Sequence, residues 1–252
     1  MNYNTTQHNT TQHNKMSYDR LNTPPIYKII LIGSSSVGKT SLCNTIQGRM
    51  FDERTPITIG VDFAALVLTD EINERNEETK TFKVQLWDTA GHETFRSIAK
   101  NYYRNSQIIL LCFDLTNRAS FAELDSWMDE INSIIDKHVY ICLVGLKSEL
   151  EPVVNKDEID LFLEKYMILS YKSYSTKYDN NAKEIKKILF ELMHKYDLLM
   201  EDYQHFKKNN KEEIILIDDE NNYTDNINIK DNTDNKDNTD NKDNKHKCCM
   251  TM

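Results

Sequence analysis

The segment Gly33-Ser34-Ser35-Ser36-Val37-Gly38-Lys39-Thr40 has the residue types and spacing that bind phosphate groups. It fits the pattern G-x-x-x-x-G-K-[ST], follows an apolar run and opens a helical pattern, so its backbone N–H groups and a helix N-terminus would hold a phosphate. Lys39 would reach two phosphates, and the Thr40 hydroxyl would bind Mg²⁺. A glycine-containing turn that binds nothing is the alternative, and the motif alone also fits kinases and other ATPases. The loop residues predicted to contact nucleotide are Gly33, Ser36, Val37, Gly38, Lys39 and Thr40.

A second motif, Trp87-Asp88-Thr89-Ala90-Gly91-His92-Glu93, directly follows a run of alternating apolar and polar residues. Asp88, at the end of the predicted strand, is placed to hold Mg²⁺ through water, and Gly91 can offer its N–H to a third phosphate without a side chain in the way. An isolated Asp–Gly turn is also a common structural feature. The two motifs together predict a nucleoside triphosphate site.

Three segments resemble known GTPases. The run from Trp87 is similar to the switch II motif of Ras-superfamily GTPases, and the sequence Thr-Ile-Gly-Val-Asp-Phe from Thr58 resembles switch I of the Rab branch. Tyr102-Tyr103-Arg104 also resembles a Rab segment that follows switch II. The likeness covers roughly residues 26 to 200 and the last few residues. It implies that GTP or GDP is bound with Mg²⁺, that Thr40, Thr58 and Asp88 surround the metal, and that Lys39, Thr58 and residue 92 serve hydrolysis.

Residue 92 departs from the Rab pattern, which has glutamine at this position to orient the attacking water. The neutral imidazole of His92 has one acceptor nitrogen and a short, rigid reach, and the protonated ring has no acceptor. We therefore expect intrinsic hydrolysis to be slower than with glutamine.

The predicted base site departs further. The chain has Leu146-Lys147-Ser148-Glu149 where the family has Asn-Lys-x-Asp, so Lys147 can cover the base but Glu149 is one methylene longer than the expected aspartate. Ser175-Thr176-Lys177 resembles the family's Ser-Ala-Lys loop, which contacts guanine through a backbone N–H. We expect weakened guanine selectivity.

The chain ends Lys-Cys-Cys-Met-Thr-Met, and Cys248 and Cys249 resemble the Rab cysteines that receive two geranylgeranyl groups. An incidental thiol pair or a weak metal site is the alternative. Lipidation would place the protein on the cytosolic face of an intracellular or plasma membrane. Family likeness implies effectors, exchange factors, activating proteins and escort proteins that shield prenyl groups. The net charge of −9 argues against broad binding of nucleic acid.

Composition and periodicity predict the elements that must position these motifs. Residues 1–25 and 206–252 are polar and repetitive, so we expect a disordered leader and a tether around one domain, 26–205. The domain should have an α/β fold of the P-loop NTPase type, with a mostly parallel six-stranded sheet and helices on both faces. The five cysteines form no disulfide framework, and no signal peptide or spanning segment is evident. We predict strands at Lys28–Ile32, Val61–Leu68, around Phe82–Leu86, and at Ile108–Phe113, Val139–Val144 and Met167–Ser170, with helices from Lys39 to Gly48, from Phe121 to Ile135 and from Ile185 to Tyr196.

The sequence leaves three functions open. The leading one is a GTP/GDP switch in membrane traffic with slow hydrolysis. The second is a pseudo-GTPase, a membrane-anchored binding module that does not cycle. His92, Leu146 and Glu149 favour it, whereas Lys39, Thr40, Thr58 and Asp88 argue against it. A P-loop kinase or ATPase of another class is disfavoured because it leaves the switch-like segments unexplained.

Overall fold

The protein is described by a computed structural model that covers residues 24–70, 80–135, 138–178 and 181–220. Nearly all of the predicted leader, most of the acidic linker between Thr69 and Lys80, and the chain beyond Glu220 with Cys248 and Cys249 lie outside these residues. By its internal contacts the chain divides after Gln204. The first unit contains the sheet, and within the described residues the second consists of the end of one long helix, from His205 to Glu220.

A six-stranded sheet forms the centre of the first unit and has the order β2-β3-β1-β4-β5-β6. Only β2 runs antiparallel; it pairs with β3, while the other neighbouring strands are parallel. The predicted α/β fold is therefore confirmed. The strands are β1 (Ile26–Ile32), β2 (Val61–Asp70), β3 (Lys80–Thr89), β4 (Ile108–Asp114), β5 (Tyr140–Leu146) and β6 (Ser170–Tyr174).

Helices cover both faces of the sheet. They are α1 (Lys39–Ile46), α2 (Glu93–Ala99, continued by a 3-10 turn at Lys100–Tyr102), α3 (Arg118–Ala122), α4 (Leu124–Ile134), α5 (Lys156–Tyr166) and α6 (Asn181–Glu220). Alternate strand residues face opposite cores, as the two-residue period of a strand requires. Ile29 packs in the core with α1 and α6, while Ile30 packs in the core with α4 and α5. Cys43, Cys112 and Cys142 are buried and unpaired.

The sequence prediction was wrong for the last strand. We expected Met167–Ser170, but Met167 ends α5 with a positive φ of 53°, and Leu169 is 83% exposed. The strand is instead the polar segment Ser170–Tyr174, which pairs with β5. Backbone pairing at a sheet edge decided the position of β6, and apolar content did not.

The helix predictions were partly right. The first helix ends at Ile46, just before Gly48, which has a φ of 76°, as expected of a stop. The helix predicted from Phe121 is divided at Glu123 into α3 and α4, and α6 runs well beyond Tyr196. Helix α5 was not predicted, although Asn155 and Glu158 form a capping box that marks its start.

Candidate functional site

The loop from Gly33 to Thr40 connects β1 to α1 and is held by close backbone contacts. A Cβ added at Gly33 would lie 2.1 Å from the carbonyl oxygen of Cys112 in β4, so a side chain at this position would force the two strands apart. Gly38 has a φ of 112° and caps α1, and Ser36 has a φ of 62°. Glycine tolerates such angles, whereas a serine there stores backbone strain of the kind found at binding loops.

Lys39 lies under this loop and is almost fully buried. Its Nζ donates hydrogen bonds to the carbonyl oxygens of Gly33 and Ser34, both at 2.7 Å. Burial lowers the pKa of the Lys39 ammonium, and the nearby Asp88 carboxylate opposes that shift. An ammonium has three N–H groups, so these contacts leave one for a phosphate oxygen.

Three oxygen-bearing side chains meet beside Lys39. The Thr40 hydroxyl donates to Asp88 Oδ2 at 2.6 Å and lies 2.7 Å from the Thr58 hydroxyl, which in turn is 3.2 Å from the same carboxylate oxygen. The other oxygen of Asp88, Oδ1, is buried and has no hydrogen-bond partner among the described residues. Burial raises the pKa of the Asp88 carboxyl, while the Thr40 hydrogen bond and Lys39 lower it.

This donor set fits a magnesium ion. Hydroxyl and carboxylate oxygens are the ligands that Mg²⁺ prefers, and a buried carboxylate oxygen without a partner is a suitable contact for a cation or its bound water. Within the described part of the chain there is no cluster of three or more His, Cys, Asp or Glu side chains that could hold a metal. Thr40 and Thr58 supply two of the three side chains in this candidate site.

The two segments that bear Thr58 and Asp88 are joined by the β2–β3 hairpin. The N–H of Ala90 donates to the carbonyl of Gly60 at 2.9 Å, and Asp62 lies opposite Asp88 in the sheet. The Thr89 hydroxyl donates to the carbonyl of Leu31, which ties the end of β3 to β1. Backbone hydrogen bonds therefore connect the two segments directly.

Gly91 lies directly against the phosphate loop. An added Cβ would be 2.3 Å from the carbonyl carbon of Ser34 and 2.4 Å from the nitrogen of Ser35. No other residue type fits this gap without moving one of the two segments. Gly91 therefore has the position expected of a backbone N–H that contacts the outermost phosphate.

His92 has a structural task beside its predicted one. Its Nδ1 accepts a hydrogen bond from the N–H of Thr94 at 3.3 Å, so His92 caps the N-terminus of α2. Because Nδ1 is the acceptor, the neutral ring carries its proton on Nε2, which can only donate. A protonated ring would lose this cap and would face the Glu93 carboxylate, which lies 3.5 Å from Nδ1. In either state the imidazole lacks a free acceptor for an attacking water.

A cavity of about 320 Å³ extends from this loop to the predicted base site. Lys147, Glu149 and Thr176 line one end of it, and Glu149 Oε2 is buried without a hydrogen-bond partner among the described residues. A base edge that offers N–H groups would satisfy this oxygen. Lys147 has a φ of 61°, and its Nζ lies 2.5 Å from Asp114 Oδ2. Leu146, in place of the family's asparagine, is buried and would lie 3.5 Å from a Cβ at Gly38.

Most of the residues that the sequence predicts to bind nucleotide lie at this cavity. Ser36, Val37, Gly38, Lys39, Thr40, Thr58, Gly91, Lys147, Glu149 and Thr176 line it, while Gly33 and Asp88 contact lining residues. Ser175, His92 and Lys177 are not among the lining residues: Ser175 is buried and its hydroxyl accepts from the N–H of Lys177, whose ammonium reaches Glu53 at 3.2 Å.

The sequence analysis missed one wall of the cavity. Phe51, Asp52, Glu53, Thr55, Pro56 and Ile57 line it, all from the segment between α1 and Thr58. Phe51 is about one-third exposed and offers an aromatic face on which a base can stack. An isolated aromatic residue in a polar segment after a helix stop was the available signal.

Comparison with known proteins agrees with this geometry. The sequence model of the Ras family matches residues 28–196. The chain belongs to the Ras family. It is 35% identical to the GTP-binding protein ypt4 of Schizosaccharomyces pombe, over 63% of this chain and 68% of that protein. It is 34% identical to the Ras-related protein Rab-11A of Dictyostelium discoideum, over 67% and 77%, and 36% identical to human Rab-19, over 64% and 71%.

These relatives place the chain in the Rab branch of the Ras-family GTPases, as the switch-like segments predicted. Proteins of this family bind GTP or GDP with Mg²⁺. Lys39, Thr40 and Thr58 retain the family's residue types, whereas His92, Leu146 and Glu149 do not.

Proposed function

We propose that this chain is a GTP/GDP-binding switch in membrane traffic that hydrolyses GTP slowly and distinguishes guanine less sharply than its relatives. The observation that carries the proposal is the cavity itself. One end has the buried Lys39 ammonium and the oxygens of Thr40, Thr58 and Asp88, and the other end has the buried, unpartnered Glu149 oxygen. A ligand with phosphates and with hydrogen-bond donors on its base would satisfy both ends.

The chain's own residues would act on such a ligand as follows. The loop N–H groups would hold the inner phosphates, Lys39 would reach the second and third phosphates, and Gly91 would approach the outermost one. Thr58 would close the hairpin side of the site. Mg²⁺ held by Thr40, Thr58 and Asp88 would supply charge neutralisation. Thr58 and Gly91 are joined through the β2–β3 pairing, so loss of the third phosphate would release both segments together.

Slow hydrolysis follows from the way in which His92 is used. The amide of glutamine has both an acceptor oxygen and a donor nitrogen, so a glutamine at residue 92 could accept a hydrogen bond from the attacking water. In His92 the only acceptor nitrogen already accepts a hydrogen bond from the Thr94 N–H. Hydrolysis would then proceed without a hydrogen bond from the attacking water to residue 92.

Relaxed base selectivity follows from the neighbours of Glu149. Leu146 offers no polar group to brace the loop, and the Lys147 ammonium is engaged by Asp114, which also accepts hydrogen bonds from the N–H and hydroxyl of Thr116. Glu149 would recognise the base with a side chain one methylene longer than the family's aspartate. We expect GTP to be preferred over ATP and XTP by a smaller factor than in relatives with Asn-Lys-x-Asp.

Membrane attachment would come from lipids on Cys248 and Cys249, because two chains suffice for stable anchoring. The domain boundaries proposed for the tether, 206–252, follow composition. None of the helices that the structure describes has the length and apolar character of a membrane span. Effectors, exchange factors, activating proteins and prenyl-shielding escorts are proposed partners by family.

The first test is the identity and amount of nucleotide released when the freshly purified protein is denatured, measured by chromatography. Near-stoichiometric GDP supports a working switch, and bound GTP supports a switch stalled at His92. A site that releases no nucleotide would overturn the proposal in favour of a pseudo-GTPase, and a mixture of bases with a majority of adenine would overturn the assignment of guanine.

A further inference from the structure

A polar network connects the phosphate loop to helix α2, although the motifs give no sign of it. The Ser34 hydroxyl donates to Glu123 Oε2, at the junction of α3 and α4, and accepts from the indole N–H of Trp127 at 3.3 Å. Arg96 of α2 stacks on the same indole, with its Cζ 3.6 Å from the ring centroid. Its NH2 lies 3.8 Å from the same Glu123 oxygen.

The Arg96 guanidinium is therefore held on two sides. Its side chain is only 22% exposed, and its NH1 approaches the Ser126 hydroxyl at 3.4 Å. A planar guanidinium that stacks on an aromatic face while it faces a carboxylate is a contact that lysine reproduces poorly. The wall formed by Glu123, Ser126 and Trp127 belongs to the start of α4 and fixes where α2 can lie.

Ser34 is held as firmly on the other side of the network. Its carbonyl accepts from Lys39 at 2.7 Å, and its carbonyl carbon would lie 2.3 Å from a Cβ at Gly91. The side chain of Ser34 thus bonds to the wall on which Arg96 stacks, while its backbone contacts Gly91. Arg96 follows Gly91 by five residues, so the loop and the start of α2 are fixed to the same support.

We propose that Arg96 is a positioning residue for the triphosphate-bound state: its stack on Trp127 and its ion pair with Glu123 hold α2 so that Gly91 stays against Ser34. The inference rests on the proposed nucleotide function. In the proposed site Gly91 would contact only the third phosphate, whereas the loop N–H groups would hold the inner phosphates. Loosening α2 should therefore weaken binding of a GTP analogue more than binding of GDP.

The experiment measures dissociation constants of the full chain for fluorescent GDP and for a fluorescent non-hydrolysable GTP analogue. The variants are Arg96→Ala, Arg96→Lys and Glu123→Gln. Arg96→Lys keeps the positive charge but loses the planar guanidinium, and Glu123→Gln keeps an acceptor oxygen but loses the negative charge. Asp125→Asn is the matched control: it lies on the same helix α4 and removes an exposed pair with Lys165 (2.9 Å) that does not touch the loop. Thermal unfolding of the GDP complexes is measured in parallel.

We expect the affinity ratio of the GTP analogue to GDP to fall three- to tenfold in Arg96→Ala, and by smaller factors in Arg96→Lys and Glu123→Gln. The ratio in Asp125→Asn should stay within twofold of the original protein. Equal losses for both nucleotides, with a lower unfolding temperature, would show that Arg96 is merely structural and would overturn the inference. If Arg96→Ala does not fold, the other two variants decide in the same way. If Arg96→Ala binds both nucleotides with an unchanged affinity ratio, the inference about Arg96 fails and the proposed function stands. If the unaltered chain binds neither nucleotide, the proposed function itself fails.

Discussion

Glu149 provides the sharpest test of the base site, because its Oε2 is buried, unpartnered among the described residues and adjacent to the cavity. A guanine edge would give it two N–H donors. Hydrogen bonds to a charged group contribute about 1.5–3 kcal/mol each, so two contribute about 3–6 kcal/mol. At about 1.4 kcal/mol per factor of ten, Glu149→Ala should weaken GDP binding by roughly two to four orders of magnitude.

Glu149→Gln distinguishes hydrogen-bond matching from charge in general. The amide keeps the length of the side chain but presents N–H groups to the N–H groups of guanine, whereas xanthine has a carbonyl at that position. We expect this variant to lose GDP affinity and to gain preference for XDP over GDP relative to the unaltered chain. Glu149→Asp, with the family's shorter side chain, should sharpen the preference for GTP over ATP.

The assay is competition of GDP, XDP and ADP against a fluorescent nucleotide in the presence of Mg²⁺. Glu151→Gln is the matched control, since it makes the same chemical change two residues away at an exposed position outside the cavity. Glu149→Gln with unchanged GDP affinity would refute the assignment of this carboxylate to the base. Tight GDP binding with complete exclusion of adenine nucleotides by the unaltered chain would refute relaxed selectivity.

Three further predictions test other parts of the site. His92→Gln should speed single-turnover GTP hydrolysis about two- to tenfold, because one additional hydrogen bond to the attacking water contributes about 0.5–1.5 kcal/mol. An unaltered rate would contradict the role assigned to His92. Gly91→Ala should lower affinity for a GTP analogue roughly tenfold, with little change for GDP, because its Cβ would overlap Ser34. Gly48→Ala, which strains a residue of positive φ outside the cavity but brings its Cβ within 4 Å of no atom, is the control for a general loss of stability, and equal affinity ratios in the two variants would contradict the prediction. Replacing both Cys248 and Cys249 by serine should move the protein from the membrane fraction of cells to the supernatant, and retention of the variant on membranes would exclude these cysteines as the anchor.

The sequence predicted what depends on local pattern. The phosphate loop, α1 and the strand before Asp88 were placed correctly because their apolar periodicity and glycine positions are contiguous in the chain. The position of β6 was not predictable in this way, since a polar edge strand is defined by hydrogen bonds to β5. Trp87, the first residue of the second motif, is partly buried and stacks with Phe63 and Tyr102, two contacts that the motif does not predict.

Contacts between distant segments were outside the reach of sequence patterns. Ser34, Arg96 and Glu123 lie on three different elements, and no spacing rule connects them. The second task of His92 was equally hidden, because a histidine before a helix is a cap only if its ring turns toward the following N–H groups. Phe51 and the acidic residues beside it were missed because that segment contains no regular element.

The β2–β3 hairpin explains how the nucleotide site could tolerate the acidic linker between Thr69 and Lys80. Ten residue pairs keep one register from Val61 opposite Thr89 to Asp70 opposite Lys80. The site lies at the first end of this ladder, where Asp62 faces Asp88, and the linker joins the other end. Extending a loop adds little closure entropy, roughly 0.6 kcal/mol for each doubling of length. Because the register is fixed along both strands, a longer or shorter linker would not shift the residues proposed to bind the metal and the phosphates.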